Sequence, residues 1–381
     1  MRRVLIIAPS DSGTIAKISA NIKYMFEHYS DCQVLMVSFH RSDSRECGFE
    51  HCKYFIDGHR TGRFLSMARR VKWLKKIKME YAPDVSISTL TGCSTYNVLT
   101  ATGEKLIGIF HAPTCQLKNQ MFNYILAQLS FCFLFGKLDA LFCVSEGVTD
   151  YLTKHYRWIK KDKIRTVYNV HLVNAIREMS REDLDDVYER SLFENRNVFL
   201  YCGRLDVNKS PERLLKAFAA SSLDKESNSL VFIGSEWDYS GKEIGEIASK
   251  LNIGQSVAYL GIKKNPYKYM ARAKALVSTS ISEGLPGVII ESLILRKPVL
   301  TTNSSRGVWE ILGCSEKYER NLTGVYIAQD GIITSNLPIK DEDINIKNLA
   351  DALPLVLSRD VEFKFESSID PQSIISEYLG I

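Results

Sequence analysis

The chain has 381 residues, of which 45% are hydrophobic and 24% charged, and its formal net charge is +5. This length suits two domains better than one core, and the composition is ordinary for a globular protein. No apolar run reaches the roughly 18 residues that a membrane-spanning helix needs. The longest apolar stretch, residues 121–136, is interpreted as a buried helix. The nine scattered cysteines predict reduced thiols in a cytosolic protein, with no zinc site.

Strands and helices alternate along the first half, with strands predicted at residues 3–8, 33–37, 84–88, 105–110 and 140–145. This alternation favours parallel βα units with helices on both faces of a sheet. Gly13 follows the first strand and opens a helical pattern, so the backbone there can approach a ligand closely. No GxGxxG accompanies it, and a dinucleotide site is not supported. His111 follows the fourth strand, where it is either a ligand-contacting residue or an ordinary loop histidine.

Positive charge is concentrated in the first half, where residues 1–170 contain 24 Lys and Arg against 14 Asp and Glu. The densest part is residues 60–78, which begin with Arg60 and end with Lys78 and interleave cations with apolar residues. This pattern is typical of an amphipathic helix on an anionic membrane surface, and equally of a surface helix with a solvated basic face. Nucleic acid binding is not expected, because no recognised binding motif accompanies the basic stretch.

A charged, helical segment at residues 171–195 is interpreted as a linker, and a second set of strands follows at residues 198–202, 230–234, 257–261, 275–278 and 299–302. The loop after the first of these carries Arg204 and Lys209, and a helix is predicted to begin near Pro211. Two cations beside a helix N-terminus can bind a diphosphate, although most loop cations are simply solvated. Asp183 and Asp185 form a DxD pattern, but their charged helical setting argues against a metal site.

The loop after residues 275–278 carries Glu283, and a short helix is predicted after Pro286. Glu291 lies inside this otherwise apolar helix, where a carboxylate is costly to bury unless hydrogen-bond donors reach it. A hydroxyl-rich ligand such as a sugar or a ribose would supply those donors. Backbone N–H groups that can point to the same place belong to Gly284, Leu285 and Gly287.

The segment SEGLPGVIIESL resembles the E-x7-E motif of the family-four retaining glycosyltransferases, which have the GT-B fold. The segment GRLDVNKSPERL resembles the pyrophosphate loop of the same family. The resemblance implies two Rossmann-like, doubly wound α/β domains that face each other across a cleft. It assigns residues 1–170 to an acceptor domain, residues 196–355 to a nucleotide-sugar donor domain, and residues 356–381 to a segment that crosses back to the first domain.

The resemblance also implies roles for individual residues. Arg204 and Lys209 would bind the diphosphate, Glu291 the ribose and Glu283 the donor sugar, with His111 near the reaction centre. Backbone contacts to the donor would come from the loop of Gly13 and, at the nucleotide base, from Gly261 and Ile262. No metal and no cofactor is expected, because the two cations take over the metal's role.

The reaction implied by the resemblance is retaining transfer of a hexosyl group from a nucleotide-diphosphate sugar, expected to be a UDP-sugar. The expected acceptor is a hydroxyl of a saccharide or lipid-linked saccharide in surface polysaccharide biosynthesis, in the cytoplasm or on the inner face of the membrane. Two alternatives share the architecture. A nucleotide-sugar epimerase would release an altered sugar nucleotide, and a non-catalytic partner would bind the nucleotide sugar without transfer or hydrolysis.

Overall fold

The computed structural model describes residues 1–41, 52–55, 63–112 and 121–380. The chain divides into two compact units. The first comprises Met1–Leu172 together with Ser367–Ile381, and the second comprises Val173–Glu366.

The first unit is built on a parallel sheet of seven strands in the order β3-β2-β1-β4-β5-β6-β7. Its strands are β1 (Arg2–Ala8), β2 (Cys32–Ser38), β3 (Lys53–Tyr54), β4 (Val85–Ser88), β5 (Lys105–Phe110), β6 (Ala140–Cys143) and β7 (Ile164–Thr166). Its helices, up to the point where the chain enters the second unit, are α1 (Gly13–Tyr29), α2 (Arg63–Tyr81), α3 (Thr91–Leu99), α4 (Met121–Phe133) and α5 (Glu146–His155).

The second unit has its own seven-stranded sheet, in the order β10-β9-β8-β11-β12-β14-β13, and all neighbouring pairs are parallel except β13 and β14. Its helices are α6 (Val173–Met179), α7 (Val187–Asn195), α8 (Pro211–Ala220), α9 (Gly241–Lys250), α10 (Tyr267–Arg272), α11 (Gly287–Ile294), α12 (Arg306–Ile311) and α13 (Glu342–Val356). Its strands are β8 (Asn197–Cys202), β9 (Asn228–Ile233), β10 (Val257–Tyr259), β11 (Ala275–Ser278), β12 (Val299–Thr302), β13 (Val325–Ile327) and β14 (Gly331–Thr334).

Among its parallel strands, each sheet reverses the strand order at one point, between β1 and β4 in the first unit and between β8 and β11 in the second. Such a reversal is the mark of a doubly wound sheet, and ligands bind outside the carboxyl ends of the strands at that point. The prediction of doubly wound α/β units is confirmed. The reversal in the second unit also fixes which loops meet, namely the loop after β8 and the loop after β11.

The chain returns to the first unit at its end. Residues 173–195, most of the segment interpreted as a linker, belong to the second unit and contain α6 and α7. The last helix, α14 (Pro371–Leu379), belongs to the first unit, where the ring of Tyr378 contacts Phe26 of α1 and Phe142 of β6 edge-on.

Helix α2 turns its apolar side inward. Leu74 and Ile77 are buried in the core of the first unit, and Lys78 is fully buried beside Glu104, with 2.5 Å between the amine and the carboxylate. Part of the apolar side of the predicted amphipathic segment therefore packs in the protein's own core, whereas Leu65 is exposed, and residues 60–62 lie outside the described ranges.

Helix α4 differs from the expectation that residues 121–136 form a buried helix. Phe131 is fully buried, but apolar side chains on the opposite side of the helix are exposed. The physical reason is that the side of α4 that contains Phe131 packs into the core of the first unit, whereas Met121 and Phe133, among the side chains that the structure describes, are mostly exposed. Within the described ranges, no helix is both long and apolar enough to span a bilayer.

Candidate active site

The loop after β8 is shaped by a buried aspartate between its two cations. Asp206 is 5% exposed; its carboxylate lies 3.0 Å from Nη2 of Arg204 and accepts a hydrogen bond of 2.8 Å from the backbone N–H of Lys209. The hydroxyl of Tyr201 at the end of β8 donates to the carbonyl of Arg204 at 2.6 Å. Asp206 therefore links Arg204 to Lys209, which lies two residues before α8.

The end of β11 fastens the same loop from the neighbouring strand. Ser210, the residue before α8, has φ +49°, an uncommon value for a residue with a side chain. The hydroxyl of Thr279 donates to the carbonyls of Lys209 at 2.8 Å and Ser210 at 3.0 Å. These bonds hold a strained junction in place, as is common at functional sites.

Lys209 and Glu283 meet at the point where the strand order reverses. The ammonium group of Lys209 donates to Oε1 of Glu283, and both side chains are largely buried. The loop of Glu283 is supported from the loop after β12, because its N–H bonds to the carbonyl of Ser304 at 3.3 Å. Two predicted site residues from distant parts of the chain are thus brought into direct contact.

Helix α11 begins directly after this loop. Its first turn, which begins at Gly287, contains no acidic side chain, and Leu285 just before it is buried. The carbonyl of Gly284 accepts a hydrogen bond from Ser305 at 3.4 Å. Glu291 lies in the second turn and is 8% exposed, so the sequence correctly located a carboxylate inside an apolar helix.

Three loops stack closely at the ends of β8, β9 and β10. The N–H of Gly203 bonds to Ile233 at 2.9 Å, and the N–H of Gly234 bonds to the carbonyl of Gly261 at 3.0 Å. Gly234 has φ +145°, and a Cβ atom there would lie 1.8 Å from the carbonyl oxygen of Gly203. Gly261 has φ +71°, and the next side chain, Ile262, is exposed.

The structure adds residues that the sequence analysis missed. Trp237, in the loop after β9, is exposed, and Cζ of Arg204 lies 5.3 Å from its ring centroid. Asp206 and Thr279 are also missed residues. Asp206 could have been noticed between the two cations in the sequence, whereas nothing local marks Thr279 as a support for a loop 70 residues away.

Gly13 and His111 lie in the first unit, at the carboxyl end of its sheet. Gly13 has φ +79° and is the first residue of α1. His111 follows β5, and its Nε2 atom is buried without a hydrogen-bond partner among the described residues. Burial lowers the pKa of His111 to about 4, against the opposite effect of a backbone hydrogen bond at Thr89. Its imidazole is therefore neutral near pH 7.

The acidic DxD pattern is engaged in surface ion pairs. Asp183 lies 3.0 Å from Arg272, Asp185 lies 3.1 Å from Lys268, and both aspartates are exposed. Within the described parts of the chain, no group of three or more His, Cys, Asp or Glu side chains is placed to hold a metal ion.

Residues 183–330 match the family described as glycosyl transferases group 1. Over these residues the chain is similar to the group 1 glycosyltransferases. The matched region contains the second-unit candidates, namely Arg204, Lys209, Gly261, Ile262, Glu283, Gly284, Leu285, Gly287 and Glu291. Gly13 and His111 lie outside it.

Curated relatives are similar to longer parts of the chain. The chain is 26% identical over 281 residues to an uncharacterised glycosyltransferase of Methanocaldococcus jannaschii, covering 71% of the chain and 68% of the relative. It is 28% identical over 205 residues to the Campylobacter jejuni N-acetylgalactosamine-N,N'-diacetylbacillosaminyl-diphospho-undecaprenol 4-alpha-N-acetylgalactosaminyltransferase, covering 54% of the chain and 52% of the relative.

Among solved structures, the Anabaena protein Alr3699/HepE in complex with UDP and glucose superposes with a TM-score of 0.70 at 16% identity. The superposition covers 100% of both chains. At this identity the likeness concerns the fold alone, which is GT-B, as the sequence resemblance implied.

Proposed function

We propose that this glycosyltransferase moves a sugar from a nucleotide-diphosphate sugar, a UDP-sugar, to a hydroxyl of a saccharide or lipid-linked saccharide, with retention of anomeric configuration. The observation that carries the proposal is the contact between Lys209 and Glu283 at the carboxyl ends of β8 and β11. A cation, an acid and a helix N-terminus at that place suit a diphosphate joined to a sugar. The UDP in the Anabaena structure and the diphospho-undecaprenol acceptor in the Campylobacter name support the same ligand classes.

Donor binding would exchange one partner of Lys209 for another. The diphosphate would draw the ammonium group of Lys209 away from Glu283, and Arg204, held at Asp206, would bind a second phosphate oxygen. Glu283 would then accept hydrogen bonds from donor-sugar hydroxyls, and Glu291 would accept them from the ribose. Gly261 and Ile262 would contact the base.

In the reaction, the bond between the anomeric carbon and the phosphate oxygen breaks, and the bond to the acceptor oxygen forms on the same face of the sugar. The leaving phosphate takes the proton of the acceptor hydroxyl. Negative charge on the leaving diphosphate grows in the transition state, so cations already fixed there stabilise it more than the ground state. We assign this role to Arg204 and Lys209, which makes a metal ion unnecessary.

The first unit would supply the remaining contacts. Gly13 leaves the backbone at the start of α1 free of a side chain, which allows close approach of donor or acceptor. His111 would offer a neutral imidazole to a sugar hydroxyl near the reaction centre. We place the reaction in the cytoplasm or at the inner face of the membrane, in surface polysaccharide biosynthesis, because none of the described cysteines forms a disulfide.

The first experiment measures thermal stabilisation by a panel of nucleoside diphosphates, with UDP expected to give the largest shift. Arg204→Ala should lose most of this shift and should lower the transfer rate by about 10²- to 10³-fold, the usual effect of removing one transition-state contact. Arg181→Ala, which changes another exposed arginine of the second unit, is the matched control and should behave as wild type.

Full UDP stabilisation of Arg204→Ala would show that the loop after β8 does not bind the diphosphate. Product analysis then tests the reaction itself. An altered free sugar nucleotide without an acceptor product would show an epimerase, and UDP binding with neither transfer nor donor hydrolysis would show a non-catalytic binding protein. An inverted anomeric centre in the product would contradict retention.

A further inference from the structure

Helix α4 carries a stripe of exposed apolar side chains on its outer side. Met121, Ile125, Leu129 and Phe133 are spaced four residues apart and are 65%, 50%, 49% and 73% exposed. Cys132 is exposed beside them, and the helix contains no charged residue. We call these five residues the α4 stripe. A contiguous exposed apolar surface of this kind marks a contact with a partner or a lipid surface.

Among the described residues, the packing of α4 within the first unit is made by the inner side of the helix rather than by the α4 stripe. Phe131 is fully buried and stacks on Tyr156 with 4.0 Å between ring centroids. Ser130 and Thr95 of α3 share a hydrogen bond of 2.9 Å. The outer residues contribute little to this packing, and their exposure to water calls for another explanation.

A cationic segment borders the C-terminal half of α4. Residues 154–163 contain five Lys or Arg residues against one acid, Asp162. Trp158 is 56% exposed, and its indole N–H donates to the carbonyl of Phe131 at 3.0 Å. Lys163 donates to the carbonyls of Gly136 and Leu138 at 3.0 and 2.7 Å. These bonds fix the segment against α4, and the side chains of Lys154, Arg157, Lys160 and Lys161 remain exposed.

We propose that the α4 stripe and residues 154–163 dock the first unit on an anionic lipid surface. Helix α4 would lie in the plane of the interface with its stripe among the acyl chains. The amphipathic ring of Trp158 and the neighbouring cations would lie at the headgroup level, which is where such residues are favoured.

Charge complementarity favours lipid over a second copy of this chain. A two-fold contact between two copies of the chain through the α4 stripe would bring their two cationic segments together, and these would repel each other. Anionic headgroups, by contrast, attract the cationic segment of each molecule. The row of exposed apolar side chains distinguishes the α4 stripe from α2. That helix is basic, but its large exposed apolar side chains are only Leu65 and Met79, fourteen positions apart, among those the structure describes.

The test is co-sedimentation of the full chain with vesicles of phosphatidylcholine alone and with vesicles that also contain phosphatidylglycerol. The first variant, Leu129→Glu with Phe133→Glu, removes apolar contact. The second, Lys160→Glu with Lys161→Glu, reverses the bordering charge. Two matched controls change α2 in the same way, through Leu65→Glu and through Lys75→Glu with Lys76→Glu. All the replaced side chains are exposed, and an unchanged unfolding midpoint will verify that each variant folds.

We expect wild type to bind the anionic vesicles, and each of the first two variants to bind at least about tenfold more weakly, with α2 variants unchanged. The charge variant should also lose part of the salt dependence of binding. Wild-type binding by the α4 variant, or a greater loss in the α2 lysine variant, would overturn the proposal. So would a dimer in the absence of lipid that Phe133→Glu converts to a monomer while vesicle binding persists.

Vesicle binding requires neither donor nor acceptor, so this test is independent of the proposed reaction. A chain that is stabilised by UDP but does not bind anionic vesicles would refute the docking surface without affecting the proposal of a transfer reaction. A chain that binds vesicles through α4 but is not stabilised by any nucleotide would support the docking surface and refute the proposed binding of a nucleotide-sugar donor.

Discussion

The surroundings of His111 decide what this side chain can do. Its Nε2 atom is buried, and burial lowers the pKa of the imidazole to about 4. Near pH 7 it can exchange a hydrogen bond with a sugar hydroxyl but carries no charge with which to stabilise the leaving diphosphate. In the proposed reaction that task would fall to the two cations of the second unit, so the two units hold chemically different candidates.

The low pKa of His111 leads to a prediction about how the stability of the folded protein depends on pH. The unfolded chain gains a proton at this residue near pH 6.5, whereas the folded protein resists protonation down to about pH 4. Its contribution to stability is therefore complete above pH 6.5 and is lost as the pH falls toward 4. The unfolding midpoint of His111→Gln should consequently fall less than that of wild type across this interval. His155→Gln, on the exposed end of α5, is the control, and identical slopes for all three proteins would refute the prediction.

At the scale of elements, the close approach of the loops after β8 and β9 depends on a residue without a side chain. At Gly234 a Cβ atom would overlap the backbone oxygen of Gly203, which cannot move aside as a flexible side chain can. At Gly261 the φ angle is also positive, but the space around it is open. A side chain at Gly234 would therefore clash with the backbone, whereas a side chain at Gly261 would only make its φ angle unfavourable.

Gly234→Ala should lower the free energy of unfolding of the second unit by more than about 2 kcal/mol, because the backbone must shift to relieve the overlap. Gly261→Ala should cost only about 1 kcal/mol, the penalty of a left-handed conformation. Urea unfolding followed by circular dichroism measures both, and equal losses in the two variants would contradict the steric argument.

Some helices and strands could be located from the sequence, and others could not. Apolar runs such as β5 and β11 were located to the residue, because both faces of a parallel strand are buried. The two-residue strand β3, the short antiparallel β13 and its partner β14 were missed, since so few residues carry no periodicity. Arg204, Lys209 and Glu283 could be selected from local motifs. Thr279 could not, because its hydroxyl supports a loop that only the sheet order brings beside it.

Helix α4 marks another limit of sequence interpretation. Its uniformly apolar composition predicted burial, but composition does not reveal how many sides of a helix other elements cover. In the structure Phe131 packs into the core of the first unit, whereas Met121, Ile125, Leu129 and Phe133 are exposed among the described side chains.

At the scale of the whole molecule, the first unit is assembled from two separate parts of the chain. Helix α14 is capped by Asp370, whose carboxylate accepts N–H bonds from Gln372 and Ser373 at 2.9 and 3.2 Å. Tyr378 on this helix is 3% exposed, and its ring centroid lies 5.8 Å from that of Phe26 and 4.8 Å from that of Phe142. The last helix is therefore part of the core of the first unit.

Tyr378→Ala should destabilise the first unit by about 3 to 5 kcal/mol, the usual cost of removing a large buried aromatic ring. Amide hydrogen exchange is expected to accelerate in α1 and β6 and to remain unchanged in β8 and α8, which belong to the other unit. Uniform acceleration, or none, would show that α14 does not act within the first unit alone.

This arrangement has a consequence during synthesis on the ribosome. The first 172 residues emerge without the helix that completes their core, and about two hundred more must be translated before it appears, a delay of roughly 10 to 40 seconds at ordinary elongation rates. Throughout that interval, the groove that Tyr378 will fill stays open in the nascent chain and available to chaperones.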